Sequence, residues 1–286
     1  MELHVTQLNV DNGVGLVRLN RPGRGNSWTT RMNAEYRWLM SCLDDDPRVR
    51  VIVVTGAGQQ FCVGADTKAL DHYRESDQNY LESFRNDVMA TPGYGVRPEY
   101  EHELIWHWGL QKPVIAAING ACAGIAVALA AYCDLRYAAE GAKFTTSTPR
   151  LGLPAEFGLS WIMPRIVGLT HSADILLSGR VFLADEARAM GFLNGVMPRE
   201  ELEEEVLRIA RGLAGSTSPV AVKTAKRQVY ADLMRHDAGA AIEDSRELMG
   251  QLMKEPDFSE ALRAMKDKRA PAFTPLPGTA MGSTGS

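Results

Sequence analysis

The chain predicts an α/β protein with strands dominating early and helices dominating late. Three observations carry this expectation. Residues 3–20 show a strand–turn–strand pattern, 50–55 and 114–118 are apolar runs of strand length, and helical apolar spacing recurs from residue 158 onward.

Each element follows from a local signal. Asp11-Asn12-Gly13 sits between two β-patterned runs and predicts a hairpin turn. Residues 29–43 have helical spacing and end at Asp44-Asp45-Asp46-Pro47. The strand at 50–55 is followed by a glycine-punctuated loop, then a polar, aromatic stretch over 67–111. Asn119-Gly120 breaks the strand at 114–118, and Gly124 opens a small-residue helix running to about Tyr132. Strands are expected at 135–137 and 143–145. Helices are expected at 158–167, 170–178, 184–190, 200–214, 218–234, 238–253 and 257–268. The organisation expected is a core over 1–200, a helical region over 201–272, and a small, polar, disordered tail over 273–286.

Composition excludes several classes. With 45% apolar and 23% charged residues the chain has ample core material, and a net charge of −4 gives no reason to expect nucleic acid or an anionic membrane. No apolar run approaches the roughly 20 residues of a membrane-spanning helix, and MELHVTQLNV has no signal-peptide profile, so a cytoplasmic protein is expected. Cys42, Cys62, Cys122 and Cys133 are widely spaced, which argues for reduced thiols and against a disulfide framework or a zinc site. Gly56-Ala57-Gly58 runs on to Phe61 where a dinucleotide fingerprint needs glycine, and Ser160 lacks a nucleophile elbow. No basic stripe interleaves Trp106, Trp108 and Trp161, so these shape an apolar pocket.

The segment 112–134 carries the chemistry most plainly. Backbone amides at a helix start have no intrahelical partner and carry the positive end of the helix dipole, which suits an oxyanion or a phosphate. The alternative is a plain buried β–turn–α unit.

Three segments in order, Asn20-Arg21-Pro22 leading into GRGNS, FCVGAD at 61–66, and KPVIAAINGACAG ending in Cys133-Asp134, resemble the signatures of the crotonase (enoyl-CoA hydratase/isomerase) superfamily. AKF, GLPAEFG, PRIVG and EALRAMKDKR extend the resemblance over about residues 5–272. It implies a spiral of β-β-α units with a helical C-terminal trimerisation region, and a homotrimer or homohexamer acting on an acyl-CoA. Coenzyme A enters as part of the substrate, with no metal and no further cofactor.

By motif position, the resemblance makes Ala65 and Ile125 the backbone donors to a thioester enolate. The family often has three glycines where this chain has Gly124-Ile125-Ala126. The two glutamates of familiar hydratases are replaced by Ala128 and Thr148, which marks a hydratase/isomerase-like lyase without the usual pair. Glu156, in GLPAEFG, is the compensating acid/base candidate. Apolar neighbours such as Phe157 and Trp161 would raise its pKa, and the alternative role is a carboxylate helping the following helix. Arg24 and Lys68 are placed near the pantetheine and nucleotide, and Ala65, Asp66, Thr67, Gly124, Thr148 and Trp161 join them as expected substrate-binding residues. Lys268 and Phe273 would reach the nucleotide of a neighbouring subunit. His102 and His107 are expected on a helix bordering the acyl pocket, either as participants or as ordinary hydrogen-bonded histidines. The leading function is hydration or isomerisation of an enoyl-CoA. Its alternatives are thioester hydrolysis or carbon–carbon lysis in the same hole, and acyl-CoA binding without turnover.

Overall fold

A computed structural model describes residues 1–66 and 92–278. The chain opens with the hairpin of β1 (Thr6–Asp11) and β2 (Val14–Leu19), antiparallel with Thr6 opposite Leu19 and Asp11 opposite Val14. Asn12 and Gly13 both take positive φ, 48° and 79°, the backbone a two-residue turn needs to match strand twist. Helix α1 (Thr30–Asp45) follows, its first turn capped by the Thr29 hydroxyl, which accepts from the Met32 amide at 3.1 Å.

Strands β3 (Val51–Gly56), β4 (Val114–Ile118), β6 (Leu135–Ala139) and β9 (Gly195–Met197) continue the sheet in parallel, in the order β1-β2-β3-β4-β6-β9. All six residues of β3 are buried, as expected of a parallel strand covered on both faces. Ile52 and Val54 point into the larger core, with Tyr36, Leu129 and Ile162. Val51 and Val53 point the other way, against Val206 and Ala210 of the helix Leu202–Ser216. A second sheet joins β5 (Cys122–Ala123), β7 (Lys143–Thr145) and β8 (Phe182–Leu183).

Helix α2 (Ile125–Tyr132) lies wholly inside the larger core. Helix α3 (Leu159–Ser178) is interrupted at Gly168, whose φ of 78° and ψ of 165° separate the two helical stretches expected from sequence. A short helix, α4 (Ala184–Ala189), precedes β9. Four helices complete the described chain: α5 (Leu202–Ser216), α6 (Pro219–Leu233), α7 (Ala238–Leu252) and α8 (Pro256–Asp267). Among the described residues no helix is long and apolar enough to cross a membrane.

Two expectations need correction. The histidine segment is not a regular helix but two 3-10 turns, Pro98–Tyr100 and Ile105–Gly109, separated at Leu104, whose φ of 66° breaks helical propagation. The tail is not free from residue 273, because the Phe273 side chain is buried, its carbonyl accepts from Arg50 at 2.7 Å, and the Thr274 amide donates to Asp257 at 3.0 Å.

Candidate functional site

Two loops meet at a pair of glycines. In the first, after β3, the Trp28 amide donates to Gly64 O at 2.7 Å and the Asp66 amide donates to Trp28 O at 3.0 Å. These bonds bracket Ala65, and strand alternation turns the Ala65 N–H to the opposite side from Trp28. The second loop is stitched to the first through Cys62, whose amide donates to Ala121 O and whose carbonyl accepts from the Ala123 amide, both at 3.0 Å. Gly124 then takes φ 54° and ψ −123°, donates to Thr145 O at 3.0 Å, and leads into α2. Ile125 is the first residue of that helix, so its N–H has no acceptor within it. A Cβ on Gly124 would lie 3.9 Å from Gly64 Cα, so the two loops are in contact where Ala65 and Ile125 begin.

Glu156 reaches this junction. The same Cβ on Gly124 would meet Glu156 Oε1 at 3.0 Å. Glu156 is half-buried, and burial pushes its carboxyl up from the ordinary range to about 7. It stands at the head of a turn in which Phe157 has φ 47° and Gly158 φ 71°. The Glu156 carbonyl accepts from the Leu159 amide at 2.9 Å, while Gly158 is the cap residue of α3 and no side chain caps that helix. The carboxyl therefore makes no capping hydrogen bond to that helix.

The positions of the absent glutamates are not alike. Ala128 is fully buried in the core. Thr148 is also buried, at the start of a 3-10 turn entered through Ser147 at φ 59°, and its hydroxyl has no hydrogen-bond partner among the described residues. Trp161 is half-buried, 5.8 Å from Trp108 between ring centroids, with the Arg165 guanidinium carbon 3.9 Å above its ring. Trp108 stacks on Tyr230 at 4.2 Å and meets Tyr132 edge-on at 5.5 Å.

The other nominated residues are more dispersed. Asp66 is buried, and its Oδ2 accepts from Arg21 and from the Ser27 hydroxyl, each at 3.0 Å, bracing the two N-terminal motifs together. Arg24 is exposed at the end of the turn Pro22–Arg24. Thr67 and Lys68 lie outside the described residues. Lys268 is exposed, at φ 52° as the C-cap of α8. Phe273 lines a groove of about 450 Å³ between C-terminal helices, with Met249, Leu252 and Phe258. Within one chain, then, Lys268 and Phe273 belong to the C-terminal helices and not to the glycine junction.

The histidines divide sharply. His107 is fully buried, its Nε2 hydrogen-bonded to the Tyr36 hydroxyl at 2.7 Å and its Nδ1 paired with Leu104 O at 2.5 Å. Burial pushes its pKa down to about 3, so it is a neutral structural group. His102 is exposed.

Two features escaped the sequence reading. Tyr132, the last residue of α2, donates its hydroxyl to Phe157 O at 3.1 Å, and the one local hint was a tyrosine closing a helix of small residues. Asp134 is a hub: Oδ2 accepts from the Val114 amide at 2.6 Å and Lys226 Nζ at 2.8 Å, and Oδ1 accepts from the Tyr230 hydroxyl at 2.6 Å.

The enoyl-CoA hydratase/isomerase family model matches residues 9–275. The chain is 32% identical over 267 residues to the probable enoyl-CoA hydratase echA12 of Mycobacterium tuberculosis, covering 91% of this chain and 89% of that protein. It is 30% identical over 292 residues to the peroxisomal Delta(3,5)-Delta(2,4)-dienoyl-CoA isomerase of Arabidopsis thaliana, covering 96% and 97% respectively. The crystal structure of enoyl-CoA hydratase from Bacillus anthracis superposes with a TM-score of 0.82 at 26% identity, over 95% of this chain and 99% of that one. An α/β spiral core bearing this glycine junction defines a crotonase-type fold. The chain belongs to the enoyl-CoA hydratase/isomerase family of the crotonase superfamily.

Proposed function

We propose that the protein binds an acyl-CoA with its thioester oxygen between the Ala65 and Ile125 amides, and that Glu156 is the one acid/base at the acyl carbons. The observation that carries this reading is the Glu156 carboxyl at the Gly64/Gly124 junction, raised by burial to about 7. A group titrating there is about half ionised at neutral pH, so it can take a proton and return it. Backbone donors aimed at the developing enolate oxygen are typically worth ~10²–10³ in rate each.

Double-bond isomerisation fits a single carboxyl best. In a 3-enoyl thioester the Glu156 carboxylate removes a proton from the α carbon, the electron pair moves into the dienolate, and the negative charge rests on the thioester oxygen between the two amides. The protonated Glu156 then delivers that proton to the γ carbon, leaving the conjugated 2-enoyl thioester with atoms and charge balanced. Water addition asks for a second group to hold the water, and Ala128 offers none. The unpartnered Thr148 hydroxyl favours hydration or dehydration as the second reading, because a buried hydroxyl without a partner can hold a water.

Glu156→Gln tests the proposal. kcat on trans-3-hexenoyl-CoA should fall ~10²–10⁴-fold with CoA affinity nearly unchanged, the range for loss of an acid/base group. A loss under fivefold removes Glu156 from the mechanism. Crotonyl-CoA separates the remaining readings, since release of free CoA indicates thioester hydrolysis, formation of a shorter acyl-CoA with a carbonyl fragment indicates carbon–carbon lysis, and tight binding without turnover indicates an acyl-CoA-binding protein. Within the same proposal, Arg24 and Lys68 contact the pantetheine and nucleotide, Thr67 is a further substrate-binding residue, and Lys268 and Phe273 serve a neighbouring subunit of a cytoplasmic homotrimer or homohexamer. The exposed apolar side chains of α7, Ile242 and Met249, support that assembly.

A further inference from the structure

We infer that Tyr132 is a positioning residue for Glu156, holding through its hydroxyl the strained turn that sets the carboxyl over Gly124. The inference rests on the acid/base reading of Glu156 and deepens it.

The turn is strained where a side chain is present. Phe157 at φ 47° is a bulky residue in the left-handed region, a conformation that persists only when its surroundings enforce it. Gly158 follows at φ 71°, so two consecutive left-handed residues reverse the chain directly after Glu156. The enforcing contact comes from Tyr132. Its hydroxyl donates to Phe157 O at 3.1 Å, and the same oxygen would lie only 2.6 Å from a Cβ on residue 158. Glycine at 158 is thus required both by φ and by the close seating of the tyrosine oxygen.

The other end of the same helix meets the carboxyl itself. Ile125 opens α2 and Tyr132 closes it, a rise of about 10 Å for seven steps of 1.5 Å. At its N-terminal end Gly124 lies against Glu156 Oε1, and at its C-terminal end Tyr132 fixes the backbone one residue beyond Glu156. One rigid, fully buried helix therefore sets the spacing between an amide donor and the acid/base. Tyr132 is itself immobilised, since its ring packs edge-on against Trp108, which stacks on Tyr230, which is bonded to Asp134. Burial pushes the Tyr132 phenol up to about 12, so at neutral pH it is protonated and donates.

Tyr132→Phe removes one oxygen and leaves the ring packing in place. Two measurements read the result. The first is the titration of the Glu156 carboxyl followed by carbon-13 NMR in the full chain without ligand, the resonance assigned with Glu156→Gln. In Tyr132→Phe the Glu156 pKa should move from near 7 toward the ordinary carboxylate range as the turn relaxes into water. The second is steady-state turnover of trans-3-hexenoyl-CoA, where kcat should fall roughly 10–30-fold with KM changed less than twofold, as misplacement of a reacting group predicts. Gly158→Ala, which displaces the hydroxyl from the other side, should move both readouts the same way. An unchanged Glu156 titration with kcat within twofold overturns the inference, even if the melting temperature drops. Glu156→Gln measured alongside separates the two proposals. A large loss there with a silent Tyr132→Phe defeats only the tyrosine's role, whereas a loss under fivefold in Glu156→Gln defeats both.

Discussion

Helices α2 and α7 are opposite solutions to the same problem of where a helix puts its apolar residues. All eight residues of α2 are buried within the chain that makes them, whereas the fifteen-residue α7 buries none. Ile242, Met249 and Met253 of α7 and its extension are each more than half exposed. A helix that is apolar all round can be placed only inside a core, so the position of α2 is fixed by its own sequence. An amphipathic helix with an open apolar face is placed by whatever covers that face. The elements carrying the glycine junction are therefore determined by one chain, while the C-terminal helices leave apolar surface available to a second.

The contrast breaks most visibly where the two regions are joined. Asp134→Ala would leave the buried Lys226 ammonium, the Val114 amide and the Tyr230 hydroxyl without their shared acceptor. Removing one partner of a buried ion pair costs about 3–5 kcal/mol, so the urea midpoint should fall by that equivalent. If the loss is under 1 kcal/mol, the C-terminal helices are not held to the core through this residue.

A matched pair of truncations sharpens the comparison. Leu129→Ala, in the core of α2, should cost about 2–5 kcal/mol, and Met249→Ala on α7 should stay within about 0.5 kcal/mol for the single chain. Equal costs would mean that α7 is as much a part of the intrachain core as α2. Assembly supplies the complement. Ile242→Glu with Met249→Glu should reduce the light-scattering mass to one chain of 31.4 kDa while leaving the circular dichroism of the fold intact. A parent protein that is already monomeric at micromolar concentration would show that this apolar face does not join copies.

The last expected effect is the dependence of stability on Glu156 charge. Its pKa is raised in the folded state, to about 7 from 4.5. The unfolded chain therefore binds fewer protons between these values, and stability falls as pH rises through that window. Glu156→Gln stays neutral throughout, so its melting temperature relative to the parent should be a few degrees higher at pH 8.5 than at pH 5. A difference independent of pH would mean that the carboxyl is not desolvated in the fold.

Local chemistry made much of the fold legible. Asn12-Gly13 specified the hairpin, the run at 114–118 matched β4 at both ends, and Gly168 separated two helical stretches as its sequence pattern suggests. The helix expected around His102 and His107 came with the resemblance, and the positive φ at Leu104, beside the buried Trp106 and Trp108, divides that segment into two short turns. At the candidate site, the resemblance nominated Glu156, but its approach to Gly124 joins residues far apart in sequence and no spacing encodes it. The same holds for Tyr132 with Phe157, and for Asp134 with Lys226 and Tyr230, pairs separated by 25, 92 and 96 positions.

The Asp134 hub also dictates where this chain can be cut. A boundary near residue 200 looks natural in sequence, since uninterrupted helix begins there, yet a fragment ending at that point would lose Lys226 and Tyr230. It would also lose α5, whose Val206 and Ala210 cover one face of the sheet. A fragment ending just after Leu233 keeps the cation, the phenol and the covering helix, and discards α7, which buries nothing within its own chain, together with α8 and the Phe273 carbonyl that accepts from Arg50. The smallest piece able to hold the glycine junction in shape therefore extends through α6. Limited proteolysis should trim inward from the C-terminus and stall at that helix, leaving a core longer than the strand-rich part by about the length of α5 and α6 together.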